Sequence, residues 1–170
     1  KLETCVSLLL SAAESGHKIL LFSQFASMLE RIQERLLQEG ISSHLLVGAT
    51  PKEERSRMVQ AFASDEVPVF LISLKAGGTG LNLTAADIVI HYDPWWNVAA
   101  QNQATDRAYR IGQEKPVTVY KLILKDTIEE NLLKLQNAKL ALAAQVVSEG
   151  MVSLGDLSQN ELMELFEQNP

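Results

Sequence analysis

Three polar side chains are spaced in a way that suits the binding of an anion. Gln103, Arg107 and Arg110 stand four and three residues apart, so a helix would present all three on one face. Arg107 and Arg110 each offer a planar fork of N–H donors that matches phosphate oxygens. The same stripe is also typical of a solvated helix face with Arg107 paired to Asp106 or Asp93. These residues alone leave both interpretations open.

A glycine-rich stretch lies upstream of that stripe. Residues 75–83 are Lys-Ala-Gly-Gly-Thr-Gly-Leu-Asn-Leu, and their backbone N–H groups could face phosphate oxygens. The stretch is not a Walker A loop, because Gly-x-x-x-x-Gly-Lys-Ser/Thr occurs nowhere in the sequence. It is not a dinucleotide-binding fingerprint either, because Leu83 stands where a third small residue belongs. An ordinary tight turn is the alternative.

The two tryptophans of the chain, Trp95 and Trp96, follow Pro94 directly. Such a pair is common in core packing. Because adjacent residues that leave a strand point to opposite sides, one ring can be buried while its neighbour covers the loop.

The elements that must position these residues alternate between strand and helix. Apolar runs predict five strands, at residues 18–22, 43–47, 67–72, 88–91 and 117–123. One helix is predicted after the first strand and ends at Gly40; a second begins after Thr50 as cap, with Pro51 and Glu53 in its first turn; a third begins after Asn97. A long helix is predicted over residues 127–147, with Asp126 or Thr127 as its cap and Gly150 as its end, and a last short one near residues 159–166.

This alternation predicts an α/β fold with a parallel sheet covered by helices on both faces. Ligands of such sheets bind beyond the carboxyl ends of the strands. The unusual residues all follow strands, at 23–25, 48–50, 73–80 and 93–97. We therefore predict that this edge of the sheet is the working face.

The composition is that of an ordinary globular domain, with 46% hydrophobic and 21% charged residues among 170. The net charge of −6 comes entirely from residues 126–170, which hold 8 acidic and 2 basic side chains, while residues 1–125 hold 13 of each. Cys5, His17, His44 and His91 show no metal-ligand spacing. We expect each to be a packing or surface residue, with no metal held by this chain alone. The chain begins at Lys1 rather than at methionine, which leaves room for a longer parent protein.

Taken together, these strings resemble the second, C-terminal RecA-like lobe of Swi/Snf-type superfamily 2 DNA translocase ATPases. KILLFSQF resembles motif IV, and the 48–50 turn with Arg55 resembles motif IVa. SLKAGGTGLNLTAAD with HYDPWWN resembles motif V and its extension, and QATDRAYRIGQ resembles motif VI. Residues 127–147 resemble the brace helix that ends the lobe. Val98 and Gln101 depart from the commonest pattern, which has Pro and Glu there.

The resemblance implies a RecA-like three-layer αβα lobe at residues 1–125, and a brace helix with an acidic helical tail at 126–170. In this family ATP and Mg²⁺ lie between two lobes, and the first lobe of the same polypeptide brings the phosphate loop and the acidic metal-binding motif. This lobe would bring Arg107 and Arg110 as arginine fingers, with Gln103 beside them. The residues implied to lie near ATP are Gly78, Gly80 and Asn82. The chain by itself is expected to be inactive.

The resemblance also implies sequence-independent contacts to the backbone of double-stranded DNA. The residues implied in them are Ser23, Gln24, Thr50, Arg55, Ser73, Lys75, Gly77 and Trp95. Two alternatives are a non-catalytic DNA-binding or protein-interaction module that kept the fold, and a strand-separating helicase. The acidic tail is expected to dock on the first lobe or on a partner. The short ending is typical of a bacterial, cytoplasmic protein without a membrane segment; a eukaryotic source would imply the nucleus.

Overall fold

The computed structural model describes residues 1–76, 81–95, 97–110, 112, 113 and 115–149, with side chains as far as residue 141. Ten elements follow one another along these residues: α1 (Leu2–Glu14), β1 (Ile19–Ser23), α2 (Ala26–Gln38), β2 (Ser43–Leu46), α3 (Lys52–Ser64), β3 (Val69–Ser73), β4 (Ile88–His91), α4 (Val98–Thr105), β5 (Thr118–Lys121) and α5 (Ile128–Glu149).

The five strands form one sheet in the order β2-β3-β1-β4-β5, and every neighbouring pair is parallel. The predicted strand at 88–91 has the bounds that were expected, and the other four begin and end within two residues of their predicted positions. The predicted α/β class with a parallel sheet is therefore confirmed. Because all strands run the same way, their carboxyl ends lie along one edge of the sheet.

Alternate residues of the central strands point to opposite faces of the sheet, as strand geometry requires. On one face, Leu21 and Leu71 pack in a fully buried cluster with Leu9 of α1 and with Leu29 and Leu36 of α2. Cys5 lies in the same cluster, where burial raises the pKa of its thiol to about 12. It is a buried packing residue, one of the two ordinary roles expected of it.

On the other face, Phe22 of β1 and Phe70 of β3 pack with Phe62 of α3 and Ala104 of α4. The Phe62 and Phe70 rings meet edge to face, with centroids 5.3 Å apart. Helices therefore cover both faces of the sheet, which is the three-layer arrangement that the resemblance implied. A buried aliphatic or aromatic side chain contributes about 1.5–3 kcal/mol, so these two clusters hold the strands in register.

The C-terminal end of α3 is tied to the first two strands by charged side chains. Lys18 Nζ donates to the Phe62 carbonyl and, at 2.7 Å, to the Asp65 carbonyl, which satisfies oxygens that the helix leaves without partners. The Asp65 carboxylate lies 2.7 Å from His44 Nε2 and accepts from Val67 N at 3.2 Å. This cluster fixes α3 relative to β1 and β2.

The start of α3 differs from the prediction. The N-cap position is Pro51, and no side chain caps the helix there, so the prediction that Thr50 is the cap was wrong. Thr50 Oγ1 instead accepts a hydrogen bond from Val47 N at 3.1 Å, which closes the turn between β2 and α3. The Thr-Pro-x-Glu pattern predicted the start of the helix to within a residue or two, but the hydroxyl of Thr50 bonds to the preceding turn and not to the helix.

The chain divides into two compact units, of which the first is Lys1–Lys125 and the second begins at Asp126. Helix α5 lies in the second unit. Thr127 Oγ1 accepts from Glu129 N at 3.2 Å just before its first turn, as expected of a capping residue. The predicted helix near residues 159–166, and Gly150, lie outside the described residues.

Candidate functional site

Two serines occupy neighbouring positions at the carboxyl ends of β1 and β3. Ser23 and Ser73 are register partners, and both are buried. Ser23 Oγ donates to Asp93 Oδ1 at 2.5 Å and accepts from Phe25 N at 3.1 Å. Asp93 Oδ2 accepts from Gln24 N at 3.0 Å, so one carboxylate joins the ends of β1 and β4. The Ser23 hydroxyl is thereby committed to fixing this edge.

The other residues implied in DNA contact differ in how they meet solvent. Lys75 is exposed, whereas Gln24, Thr50, Arg55 and Trp95 are half-buried. The guanidinium of Arg55 donates to three backbone carbonyls, and the Thr50 hydroxyl is used within its own turn. Gly77 lies outside the described residues.

Helix α4 begins where the sequence predicted, since Asn97 Oδ1 accepts from Ala100 N at 3.3 Å as an N-cap. Its first turn is also tied to the preceding loop by Gln101, which is buried and whose Oε1 accepts from Trp95 N at 3.4 Å. Gln101 Nε2 finds no hydrogen-bond partner among the described residues. The structure thus gives the departure at position 101 a positioning role through its oxygen. Trp96 lies outside the described residues.

The prediction that Gln103, Arg107 and Arg110 share one helix face was wrong. Helix α4 ends at Thr105, so only Gln103 is helical. Beyond the helix, Arg107 N donates to Ala104 O at 3.3 Å, a bond to the third residue back rather than the fourth. Hydrogen bonds of this spacing tighten and rotate the turn, which removes the two arginines from the helical stripe. Gln103 and Arg110 are exposed, while Arg107 turns inward.

A long-range backbone contact holds the turn that follows the helix. The Arg107 carbonyl accepts from Leu83 N at 3.1 Å. Leu83 is buried directly after Asn82, in the stretch that follows the glycines. The turn that carries Arg107 and the segment that carries Asn82 are therefore held together by the main chain.

Arg107 is the most unusual side chain of this region. It is only 3% exposed, and neither Nε nor Nη1 finds a hydrogen-bond partner within the described part of the chain. Burial lowers the pKa of its guanidinium, and the nearby charge of Arg110 lowers it further. A guanidinium nevertheless stays charged at neutral pH. Buried donors without partners cost about 1–3 kcal/mol, and an approaching anion would satisfy them.

His91 was predicted to be a packing or surface residue, and the structure places it at this site. It ends β4, is 1% exposed, and stacks on Phe22 with ring centroids 5.7 Å apart. Its Nε2 lies 2.9 Å from Thr105 Oγ1, and that hydroxyl donates to Gln101 O at 3.3 Å. His91 thus anchors the last residue of α4, directly before the turn of Arg107. A histidine in an apolar run that ends at the working edge is the signal that could have identified it.

Asn82 and Arg55, which were assigned to different ligands, line the same groove. The groove has a volume of about 450 Å³ and lies between residues 52–60 of α3 and the segment that follows the glycines. Lys52, Ser56 and Gln60 complete its polar lining. Gly78 and Gly80 lie outside the described residues, so their predicted nucleotide contacts stay predictions.

Neither a metal centre nor a membrane span is found within the described ranges. No cluster of three or more His, Cys, Asp or Glu side chains there is arranged to hold a metal ion. None of the helices in those ranges is both long enough and apolar enough to cross a bilayer.

Several known proteins are similar to this chain in sequence. The family model described as the helicase conserved C-terminal domain matches residues 1–112. A putative ATP-dependent helicase/translocase of Bacillus subtilis, YwqA, is 45% identical over 170 residues, which cover 98% of this chain and 18% of that protein. The chromodomain-helicase-DNA-binding protein 1-like of Danio rerio is 44% identical over 160 residues, which cover 94% of this chain and 16% of that protein.

A solved structure shares the fold. The C-terminal part of the Fun30 ATPase domain superposes with a TM-score of 0.74 at 35% sequence identity, over 78% of this chain and 43% of the other. The chain thus corresponds to less than a fifth of the length of either relative.

Proposed function

The chain belongs to the helicase conserved C-terminal domain family, as the C-terminal lobe of a Swi/Snf-type superfamily 2 ATPase, and on that premise we propose that it is the second motor lobe of an ATP-dependent translocase on double-stranded DNA. Its part in the reaction is to bring positive charge to ATP from one side of an interlobe cleft. The first lobe, on the same polypeptide, completes the site.

The buried guanidinium of Arg107 carries this proposal. Arg107 is a desolvated cation, and two of its nitrogens find no hydrogen-bond partner among the described residues, which is a free-energy cost that an anionic ligand would offset. Negative charge that develops on a transferring phosphoryl group is such a ligand. Arginine fingers of this kind accelerate phosphoryl transfer by about 10³–10⁵-fold. Because the side chain is already fixed in place, little reorganisation is needed when the charge appears.

Arg110 and Gln103 have a different part from Arg107, since both are exposed. The charge of Arg110 acts on Arg107, and two like charges in close range repel each other. An anion bound between them relieves that repulsion. We propose that Arg110 is the second finger and that it reaches the phosphates when the lobes close, with Gln103 polar and adjacent at the end of α4.

The chain supplies only this half of the ATP site. No Walker A sequence is present in its 170 residues, and the described residues offer no carboxylate cluster for Mg²⁺. We therefore assign Mg²⁺ and most of the nucleotide contacts to the first lobe, with Asn82 contributing from this side. The lobe by itself is expected to hydrolyse no ATP.

On the DNA side, the proposal rests on the groups that follow β1, β2 and β3 at the same edge of the sheet. Lys75 is an exposed cation two residues beyond β3, and the half-buried Gln24 directly follows β1. The two strands are register partners up to Ser23 and Ser73. Contacts of amides, hydroxyls and a few cations to phosphates carry no sequence information, so binding is expected to be sequence-independent. The net neutrality of residues 1–125 is compatible with such a local patch.

The test is made in the two-lobed protein that carries this lobe. Arg107→Ala and Arg110→Ala are each expected to lower DNA-stimulated ATP hydrolysis by about 10³-fold or more. Double-stranded DNA binding, measured by fluorescence anisotropy, is expected to stay unchanged. Arg57→Ala removes an equal charge from an exposed position on α3 and serves as the matched control. The isolated chain is assayed beside them and is expected to show no turnover.

Two outcomes would contradict the proposal. Equal losses of hydrolysis and DNA binding would mean that the arginines hold DNA or the fold instead of ATP. Full activity in both variants would mean that the two arginines take no part in hydrolysis. Absence of DNA-stimulated hydrolysis in the wild-type two-lobed protein would favour a non-catalytic module. A strand-displacement assay on the wild-type protein separates translocation from the helicase alternative. The relatives come from a bacterium and a fish, so the cytoplasmic and nuclear locations both stay predictions.

A further inference from the structure

Arg55 makes a set of contacts that a phosphate-binding side chain does not need. It lies in the first turn of α3 and is half-buried. Its Nε donates to Thr50 O at 2.8 Å and its Nη2 to Gly48 O at 2.8 Å. Its Nη1 donates to Ala76 O at 3.2 Å. All three nitrogens of the guanidinium are therefore engaged by main-chain carbonyls.

The three carbonyls belong to two different loops. Gly48 and Thr50 lie in the turn between β2 and α3, whereas Ala76 lies in the turn that follows β3. Ala76 is buried, and its N–H donates to Ser73 O at 2.9 Å, so the carbonyl that Arg55 holds is part of a closed turn. One side chain thus bridges the loops that follow two adjacent strands.

A guanidinium carries five N–H donors, and three of them are used here. Hydrogen bonds from a charged donor are shorter and about twice as strong as neutral ones. A group that is held in this way is a poor candidate for direct, mobile contact with a phosphate. It is well suited to hold two loops at a fixed separation.

We infer that Arg55 is a positioning residue, which ties the turn of Gly48–Thr50 to the turn of Lys75–Ala76 so that both meet the DNA backbone as one surface. This inference rests on the proposed function for its consequence, because it assumes that Lys75 contacts DNA. The tie itself depends only on the three hydrogen bonds. Arg55 then contributes to DNA binding through Lys75 and not through its own charge.

Lysine is the informative substitution at this position. Arg55→Lys keeps the charge but replaces a planar fork by a single ammonium, which cannot reach three carbonyls in the same geometry. If Arg55 contacted a phosphate, lysine would retain most of the binding. If Arg55 ties the loops, lysine and alanine would be equally defective.

The first experiment does not involve DNA. Limited trypsin digestion of the two-lobed protein is followed by mass spectrometry of the fragment cut after Lys75, which is exposed. Arg55→Ala and Arg55→Lys are both expected to speed this cut about tenfold, the effect of losing about 1.4 kcal/mol of local stability. Arg57→Ala, on the same helix, is the control and is expected to leave the rate unchanged. An unchanged rate of cleavage in Arg55→Ala would overturn the inference, whatever the affinity of the variant for DNA.

The second experiment is a double-mutant cycle on the affinity for double-stranded DNA. Arg55→Ala and Lys75→Ala are measured singly and together over a range of salt concentrations. If Arg55 acts through Lys75, the double variant binds no more weakly than the weaker single variant. The inference would be overturned if the fold-losses in DNA affinity of the two single variants multiplied in the double variant. It would also be overturned if Arg55→Lys bound DNA as the wild type does. Each phosphate contact contributes about 0.9 to the slope of log K against log salt, so an unaltered slope in Lys75→Ala would instead contradict the proposed DNA contact.

Discussion

Replacing His91 by phenylalanine should make the fold resistant to mild acid. In the folded chain Thr105 Oγ1 donates to Gln101 O, so we assign the hydrogen bond with His91 to an Nε2–H donor. The other ring nitrogen, Nδ1, has no hydrogen-bond partner among the described residues. Burial, together with the charge of Lys121, its register partner on β5, lowers the pKa of His91 from 6.5 to about 4. His91 is therefore neutral when folded and takes up a proton when the chain unfolds below pH 6.5.

The size of the effect follows from these two pKa values. A histidine whose pKa is lower in the folded state contributes stability that is complete above pH 6.5 and is lost as the pH falls towards about 4. At pH 5 proton uptake by the unfolded chain costs the wild type about 2 kcal/mol, whereas at pH 7.5 the cost is about 0.1 kcal/mol. Phenylalanine keeps the ring that stacks on Phe22 and has no proton to take up.

At pH 7.5 two opposing effects nearly cancel in His91→Phe. Loss of the hydrogen bond to Thr105 costs about 1 kcal/mol, and removal of the unsatisfied Nδ1 returns a similar amount. The two proteins should therefore differ by less than about 1 kcal/mol at pH 7.5, and the variant should gain about 2 kcal/mol over the wild type by pH 5. Urea unfolding followed by tryptophan fluorescence gives both free energies. Every other titratable group is common to the pair, so a difference that stays constant with pH would refute a buried neutral His91.

Two further predictions concern the supports of the site. Asn97→Ala should lower the free energy of unfolding by about 1 kcal/mol, because Asn97 caps α4. Asn97→Ser should keep most of the wild-type stability, since serine can also cap. Equal losses of stability in the two variants, measured by urea unfolding, would argue against the cap. Burial alone would raise the pKa of the Asp65 carboxyl, but the hydrogen bond and charge of His44, with Val67 N–H and Lys18, bring it below its usual value. Asp65→Asn should therefore lower the free energy of unfolding by about 1–2 kcal/mol at neutral pH. The difference from wild type, followed by thermal unfolding, should disappear below about pH 4; a difference that persists in acid would show that the charge of Asp65 is not its cause.

The sequence predicted the sheet well because strand signals are local. The run at 88–91 is apolar and bounded by polar residues, and the structure gives β4 those bounds. Asn97 was identified as a cap because its side chain acts on its own helix. In both cases the determining contacts lie within a few residues, where periodicity and residue type are informative.

The parts that were missed depend on contacts between distant residues. No glycine or proline interrupts residues 98–110, so nothing local ends the helix before Arg107. The turn there is fixed by Leu83 N, which lies 24 residues away in the chain. The burial of Arg107 and the anchoring by His91 follow from that turn. The hydroxyl of Thr50 was likewise drawn to Val47 N and away from the helix that its pattern predicted.

In the proposed function, the buried Arg107 of this lobe acts on the transferring phosphoryl group of ATP. This role is tested by the single-turnover rate of ATP hydrolysis, compared between wild type and Arg107→Ala. The two-lobed protein is used with saturating DNA, and ATP is already bound when the reaction starts. The rate of Arg107→Ala is expected to be lower by about 10³–10⁵-fold, with ATP affinity changed by less than about tenfold. An Arg107→Ala protein that binds ATP and hydrolyses it within about threefold of the wild-type rate would contradict this role of Arg107.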